Sequence, residues 1–164
     1  MIVRLSKALL VLMIGLFALL AGIHNIIDYN TNFTFVQHVM SMDTTFPDSA
    51  LKWHAVTSPV LHHAGFGLII ALELVTGIAC SWGALRLWGS RRAPAADFNE
   101  SKQGATVGLV FGFSLWFLGF MVVGGEWFQM WQSESWNGQQ GAFRLTACIG
   151  IVLIFLNQKD DELA

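Results

Sequence analysis

The sequence has 164 residues, of which 54% are hydrophobic and only 12% are charged. This is about half the charged fraction of an average soluble domain, and so much apolar surface excludes an ordinary soluble fold of this size. The net charge of −2, without any basic stripe, also excludes a nucleic-acid-binding protein.

Four almost uncharged apolar stretches predict four membrane-spanning helices. A helix of about 20 residues crosses roughly 30 Å of hydrocarbon, and only helices satisfy the backbone of such segments in lipid. We predict an all-α, integral membrane four-helix bundle that forms a single domain over residues 1–164. The predicted bounds are residues 7–27, 58–85, 104–130 and 139–157, with an outer loop at 28–57.

The first apolar stretch also has the form of a signal peptide. Residues 1–7 give a basic n-region, and residues 8–22 give an apolar h-region. No clean small-x-small cleavage site follows this stretch. We therefore favour a retained membrane helix over a cleaved signal peptide.

The distribution of Lys and Arg predicts the orientation of the bundle. Basic residues precede the first helix, lie between the second and third helices, and recur in the tail, whereas the other two connections hold only Lys52. The positive-inside rule then places both termini in the cytoplasm. Tryptophans near both predicted membrane boundaries are typical of aromatic belts.

Small residues recur at four-residue spacing on three of the four helices. Such stripes let helix backbones approach closely in lipid. They favour a compact bundle, and they also permit self-association or docking to a membrane-protein partner. The stripe residues are Ala18, Gly22, Gly67, Ala71, Gly104, Gly108 and Gly112.

Ionisable residues inside the apolar stretches are the candidate site, because charged groups in hydrocarbon are costly and usually functional. Glu126 and Arg144 are equally distant from the tip of the last hairpin, so we expect an ion pair that clamps it. An anion or headgroup site on Arg144 is the alternative. Five residues should share one depth just below the outer face and form a polar layer: His24, His62, His63, Glu126 and Arg144.

The three histidines of this layer have two interpretations. They either make interfacial hydrogen bonds or bind a metal or haem, since imidazoles are common ligands of both. No ligand-spacing motif accompanies them. We therefore predict no definite cofactor, and haem b or a metal ion held by His24, His62 or His63 stays open.

Glu73 is expected to lie alone near the bilayer midplane, on the same helix face as His62. No Lys or Arg lies at a matching depth, so we expect an uncharged carboxyl held by an interhelical hydrogen bond. A proton relay toward His62 is the alternative, although Phe66 lies between the two. The expected partners of Glu73 are Ser114, Thr146, the Trp116 indole or a backbone carbonyl.

The first outer loop is predicted to contain short helices, whereas the inner loop is predicted to have none. Apolar residues from Phe33 to Met40 fall at helical spacing, which predicts a short amphipathic helix in the membrane interface, or a docking face for a partner. A second short helix is expected to begin near Asp48 and run through Trp53. The polar inner loop around Pro94 is predicted to be a plain exposed connection.

Two segments resemble a bacterial family of predicted small integral membrane proteins of unknown function. They are DYNTNFTFVQHVMSMDTTFP and GGEWFQMWQSESWNGQQGAFR. The resemblance covers nearly the whole chain, and its second segment includes both Glu126 and Arg144. It implies a four-helix layout and a location in the bacterial inner membrane, and it implies no reaction.

Two functional hypotheses follow from these features. The first is an accessory or assembly subunit of a larger membrane complex, because the chain offers small-residue faces but no soluble domain. The second is a membrane protein that binds haem, a metal, or a quinone or lipid at the polar layer. Enzymatic activity is not favoured, and a transporter is disfavoured because four helices without an inverted repeat leave little room for alternating access.

Overall fold

The computed structural model describes residues 1–162, which are mostly helical and contain no strand. Four of its helices are long and apolar enough to cross a membrane: Ile2–Ile27, Pro59–Ser90, Ala95–Trp127 and Gln139–Asn157. The predicted all-α membrane fold is therefore confirmed.

The helices are numbered in chain order. They are α1 (Ile2–Ile27), α2 (Tyr29–Ser41), α3 (Pro59–Ser90), α4 (Ala95–Ser101), α5 (Gln103–Ser114, which continues as a π-helix over Leu115–Trp127) and α6 (Gln139–Asn157). We call the end that carries the connections 28–58 and 128–138 the tip end. We call the opposite end, which carries residue 1 and residues 91–94 and 158–162, the terminal end.

Close contacts between α3 and its neighbours α1 and α5 hold the bundle together. A Cβ atom built on Gly83 of α3 would lie 2.6 Å from the Cα of Ala105 on α5, and one built on Gly108 would lie 2.7 Å from the backbone nitrogen of Cys80. Only glycine permits such an approach, so these glycines pack within the bundle. Gly67, by contrast, has no atom within 4 Å of its Cβ position.

The second half of the third span departs from the regular helix that the sequence predicts. Residues Leu115–Trp127 form a π-helix, which ends with an i→i−5 hydrogen bond of 3.0 Å from Phe128 N–H to the Val123 carbonyl. Most π-helical segments are single turns, frequently at functional sites. This longer segment contains Gly119, Gly124 and Gly125, and it faces the cavities described below.

The first connection at the tip end contains the helix predicted around Phe33–Met40. This helix, α2, packs on the bundle through the buried side chains of Val36 and Val39. A short 3-10 turn at Lys52–His54 follows. The position of α2 in a membrane interface stays a prediction.

The inner loop is more than the plain exposed connection that the sequence predicts. Residues Ala95–Ser101 form α4, and Phe98 on this helix is fully buried. The Arg4 guanidinium lies 4.6 Å from the centre of the Phe98 ring, and it donates a 2.7 Å hydrogen bond to the Ala93 carbonyl. A single aromatic residue in a polar stretch therefore anchors this loop to α1.

A buried ion-pair cluster ties the segment after α6 to the terminal end. The Asp160 carboxylate lies 2.5 Å from Lys7 Nζ and 2.6 Å from Lys102 Nζ, and all three side chains are buried. Both ammonium groups also donate 2.7 Å hydrogen bonds to the carbonyl of Gln158. We call Lys7, Lys102 and Asp160 the tail latch, which the sequence analysis did not anticipate.

Two opposing effects act on the pKa of Asp160. Burial raises the pKa of this carboxyl, but hydrogen bonds and charge from Lys102 and Lys7 outweigh burial and hold the pKa below its usual range. Asp160 is therefore ionised at neutral pH and neutralises part of the buried positive charge.

Candidate functional site

A partly open cavity of about 320 Å³ lies toward the tip end, lined by α1, α2, α3 and the π-helix. Four polar side chains face it: His24 and Asn25 from α1, Asn32 from α2 and Glu73 from α3. We call this cavity the chamber. Its remaining walls are Ala21, Phe35, Val36, Phe66, Ile69 and Phe120.

A chain of side-chain amides leads to the Glu73 carboxyl. Asn32 Nδ2 donates a 2.6 Å hydrogen bond to Asn25 Oδ1, and Asn25 Nδ2 donates a 2.8 Å hydrogen bond to Glu73 Oε2. Only 4% of Glu73 is exposed. The prediction that the partner of Glu73 comes from α5, α6 or a backbone carbonyl was wrong, because the hydrogen bond comes from Asn25 on α1.

The close packing of α1 on α3 brings Asn25 to Glu73. Gly22 lies one turn before Asn25, and a Cβ on Gly22 would lie only 2.9 Å from Leu74 Cδ2 and 3.3 Å from Glu73 Cβ. A larger residue at position 22 would push α1 away from the carboxyl. An uncharged asparagine within the apolar run of α1 is the sequence signal for this contact, and a search for ionisable residues alone missed it.

An apolar groove of about 350 Å³ adjoins the chamber. The two cavities share four wall residues: Phe35, Val36, Ile69 and Phe120. The groove extends between α2, α3 and the π-helix, where Gly65 and Gly119 leave space that larger side chains would fill. Both volumes fall within the roughly 300–1,000 Å³ of small-molecule sites.

The electrostatics of the chamber favour an uncharged Glu73. Within residues 1–162 Glu73 forms no ion pair, and its one hydrogen-bond donor is a neutral amide. Burial without a counter-ion favours the protonated form of a carboxyl group. A protonated carboxyl can donate a hydrogen bond into the chamber as well as accept one from Asn25.

The structure separates the three histidines. His62 is buried, and its Nε2 lies 2.7 Å from the Val56 carbonyl, while its Nδ1 has no hydrogen-bond partner. His63 is exposed, lies 2.8 Å from the Tyr29 hydroxyl and stacks on Phe33 at 4.2 Å. His24 is exposed and faces the chamber.

The separated positions of the three histidines are relevant to the hypothesis that they bind a metal or haem. Within residues 1–162, no group of three or more His, Cys, Asp or Glu side chains is arranged to hold a metal ion. His62 and His63 instead tie the tip-end connection and α2 to the start of α3. The orphaned Nδ1 of His62 does not face the chamber, since His62 is not among the lining residues.

The expected clamp between Glu126 and Arg144 does not form. Both side chains are exposed, and neither takes part in an ion pair within the described residues. The reason is that the π-helix and the 3-10 turn at Met130–Gln132 change the register of the hairpin that the sequence analysis treated as regular. The structure thus brings His24 together with Glu73 and leaves Glu126, Arg144 and His63 at separate exposed positions.

Aromatic stacking at the tip end involves two histidines that the sequence analysis did not single out. His54 stacks on Trp127 at 4.0 Å and lies 2.7 Å from its carbonyl oxygen. His38 stacks on Trp136 at 4.6 Å and pairs with Asp43. These contacts join the two tip-end connections to each other.

Comparison with known proteins identifies one family. No curated protein matches the chain, and no solved structure matches it. The family model described as "Predicted small integral membrane protein (DUF2165)" matches residues 3–159, nearly the whole chain. The resemblance noted from the two sequence segments is thereby confirmed, and the chain belongs to this family of predicted small integral membrane proteins.

Proposed function

We propose that this membrane protein binds a lipophilic molecule of the quinone or lipid class, with its head group in the chamber and its apolar part in the groove. The observation that carries the proposal is the junction of the two cavities. A buried carboxyl and two linked amides face one cavity, and an almost wholly apolar cavity shares four of its wall residues.

The chemistry of the chamber fits a head group that forms hydrogen bonds. Ligand sites are mostly apolar, with a few fixed polar groups that orient the ligand. The side-chain amide of Asn25 accepts a hydrogen bond from Asn32 and donates one to Glu73 Oε2, so it positions Glu73. Among the described residues, Glu73 Oε1 has no hydrogen-bond partner. His24 supplies an imidazole on the same wall. A carbonyl or hydroxyl group between Glu73 and His24 would find both donors and acceptors.

Blocking the groove tests this proposal. Gly119 lines the groove, and the nearest neighbour of an added Cβ would lie 3.8 Å away, so the Cβ of Gly119→Leu meets no obstruction and the rest of the side chain occupies the groove. Gly67→Leu is the matched control, because Gly67 also faces open space but lines neither cavity. Decylubiquinone, added to purified protein in mild detergent, is the probe, and tryptophan fluorescence reports its binding.

The expected result is saturable binding to the wild type and to Gly67→Leu, and at least about a tenfold loss for Gly119→Leu, since one filled site removes the ligand's apolar contacts. Mass spectrometry of organic extracts then compares how much native lipophile copurifies with each protein. Wild type and Gly67→Leu should retain more of it than Gly119→Leu. Equal binding by Gly119→Leu and wild type, together with equal extracts, would contradict the proposal.

We also propose a bacterial inner-membrane location with both termini in the cytoplasm. The asymmetry of Lys and Arg between the two ends supports this orientation. Alkaline phosphatase inserted after Asp48 should be active, and green fluorescent protein fused after residue 164 should fluoresce. The opposite pattern for both fusions would reverse the orientation.

A role as an accessory or assembly subunit is the second candidate function. The observation that favours it is the open face of α3 around Gly67 and Ala71, where Gly67 has no neighbour within 4 Å of its Cβ position while other stripe glycines pack inside the bundle. Native purification followed by mass spectrometry tests it. A stoichiometric membrane partner that Gly67→Leu releases supports this role, and a chain that purifies alone opposes it.

A further inference from the structure

A cavity of about 730 Å³ lies at the terminal end of the bundle, remote from the chamber. Its walls come from α3, α4 and α5. Apolar and small residues from α3 and α5 form the part nearer the membrane core, and polar residues form the rim. The lining residues used below are Trp82, Arg86, Ser90, Asp97, Glu100, Ser101 and Val107.

The rim carries charges of both signs that do not neutralise one another. Arg86 from α3 faces Asp97 and Glu100, which lie three residues apart on one side of α4. Within residues 1–162, none of these three side chains has an opposite charge within 4.0 Å, and none makes a side-chain hydrogen bond. Three exposed ionic groups therefore line one cavity without a charged partner among the described residues.

The position of the rim is fixed by the packing beneath it. Phe98 of α4 is buried, and the hydroxyls of Ser90 and Ser101, which both line the cavity, lie 2.8 Å apart and join α3 to α4. The Arg86 guanidinium lies 4.9 Å from the centre of the Trp82 ring, an interaction that holds it at the cavity wall. The charges thus sit on a rigid frame.

We propose that this cavity binds a zwitterionic phospholipid with a primary ammonium group, as in phosphatidylethanolamine. Arg86 pairs with the phosphate, and Asp97 and Glu100 accept hydrogen bonds from the ammonium group. An acyl chain runs over Trp82 and Val107, both about half exposed, into the hydrocarbon. One cation opposite two anions is complementary to the phosphate and the ammonium group of this head group.

The same arrangement discriminates against other head groups. One arginine and two carboxylates give the rim a net charge of −1, which disfavours an anionic lipid such as phosphatidylglycerol. A choline head group keeps its positive charge but has no N–H, so it forms no hydrogen bond with the carboxylates. The order of affinity should be ethanolamine, then choline, then glycerol.

Native mass spectrometry of the full chain with dioleoyl lipids of these three head groups tests the order. Ethanolamine lipid should bind about tenfold more tightly than glycerol lipid, a difference of ~1.4 kcal/mol. The double variant Asp97→Asn/Glu100→Gln should bind the ethanolamine lipid no better than the choline lipid. Arg86→Gln should weaken the binding of both the ethanolamine lipid and the choline lipid. Arg92 is exposed and lies outside the cavity, so Arg92→Gln should leave the binding of both lipids unchanged.

A second measurement uses only the wild-type protein, so it does not depend on the folding of a variant. Successive N-methylation of the ethanolamine head group removes N–H donors one at a time and should lower affinity at each step. Equal affinity across the methylated series, or equal binding of all three head groups, would overturn the proposal.

Discussion

The amide of Asn25 on α1 donates a hydrogen bond of 2.8 Å to the carboxyl of Glu73 on α3, 48 residues away in the sequence. This contact joins two transmembrane helices at a point where both side chains are largely buried, since Asn25 is 8% and Glu73 is 4% exposed. The Asn25 amide provides a hydrogen-bond donor for the Glu73 carboxyl, and the carboxyl provides an acceptor for the amide. Either group would be costly to bury without its partner.

Substitution of both members of this pair should destabilise the bundle by less than the sum of the two single substitutions. Asn25→Leu leaves the Glu73 carboxyl without its donor, so we expect a loss of about 1–3 kcal/mol in unfolding free energy. The double variant Asn25→Leu/Glu73→Leu removes both polar groups and should be less destabilised than the sum of the single variants. Unfolding by SDS titration in mixed micelles gives the four free energies of this cycle.

Glu73→Gln supplies the control for this cycle. It preserves an oxygen that accepts from Asn25 and should keep most of the unfolding free energy, whereas Glu73→Leu should not. Strict additivity in the cycle would show that the two side chains do not interact.

Close helix contact at Gly83 should be essential for the α3–α5 interface. A Cβ at this position would lie 2.6 Å from the Ala105 backbone, which cannot move without moving α5. We expect Gly83→Val to destabilise the protein by more than the 1–3 kcal/mol of ordinary overpacking, because backbone rather than a flexible side chain obstructs it. Thermal melting in detergent measures the effect.

Gly67→Val is the matched control, since Gly67 lies on the same helix and faces open space. The melting temperature of Gly67→Val should equal that of the wild type. Similar melting temperatures for both variants would mean that α3 and α5 do not approach as closely as the structure shows.

The tail latch should make stability depend on pH at the acidic end. The folded-state pKa of Asp160 lies below its usual value, so its contribution is complete above about pH 4, the pKa of an unfolded aspartate. That contribution is lost as the pH falls through the lower folded-state pKa. At neutral pH, Asp160→Asn leaves Lys7 and Lys102 without their carboxylate and should cost about 3–5 kcal/mol.

The measurement for the latch is the difference in unfolding free energy between wild type and Asp160→Asn from pH 7 to pH 3. The difference should stay constant down to about pH 4 and then shrink. Asp161→Asn is the control, because only the backbone carbonyl of Asp161 is used, by Arg4. A difference that grows on acidification would contradict this assignment.

Phe98 should contribute to stability as a core residue although its surrounding sequence is polar. Its side chain is fully buried, so Phe98→Ala should cost about 3–5 kcal/mol. Phe143→Ala is the comparison, since 58% of Phe143 is exposed on the outside of α6 and its loss should be small. If the two variants lose equal stability in SDS titration, α4 does not dock as described.

Prediction from the sequence succeeded where one physical rule dominates. The four spans follow from apolar length, and α2 follows from helical spacing of Phe33, Val36 and Met40. The site was harder because pairwise contacts depend on how the helices rotate. Equal distance from a hairpin tip suggested a Glu126–Arg144 pair, but the π-helix alters which side of the chain each residue faces.

Two contacts escaped prediction for a different reason. Asn25 carries no charge, so it did not stand out in the apolar run of α1, although it is the partner of Glu73. Lys7 and Lys102 looked like charges that flank membrane helices, which is how the positive-inside rule treats them. Their burial against Asp160 depends on the path of residues 158–162, which no local pattern specifies.

The tail latch has a consequence for the biogenesis of the protein. Lys7 leaves the ribosome 153 residues before Asp160, so at about 5–20 residues per second it waits roughly 8–30 s for its partner. Once residue 102 has also been made, the growing chain holds two cations that the finished bundle buries. Closure of the terminal end is therefore a late event in synthesis, and a chain that stops before residue 160 lacks the carboxylate that neutralises Lys7 and Lys102.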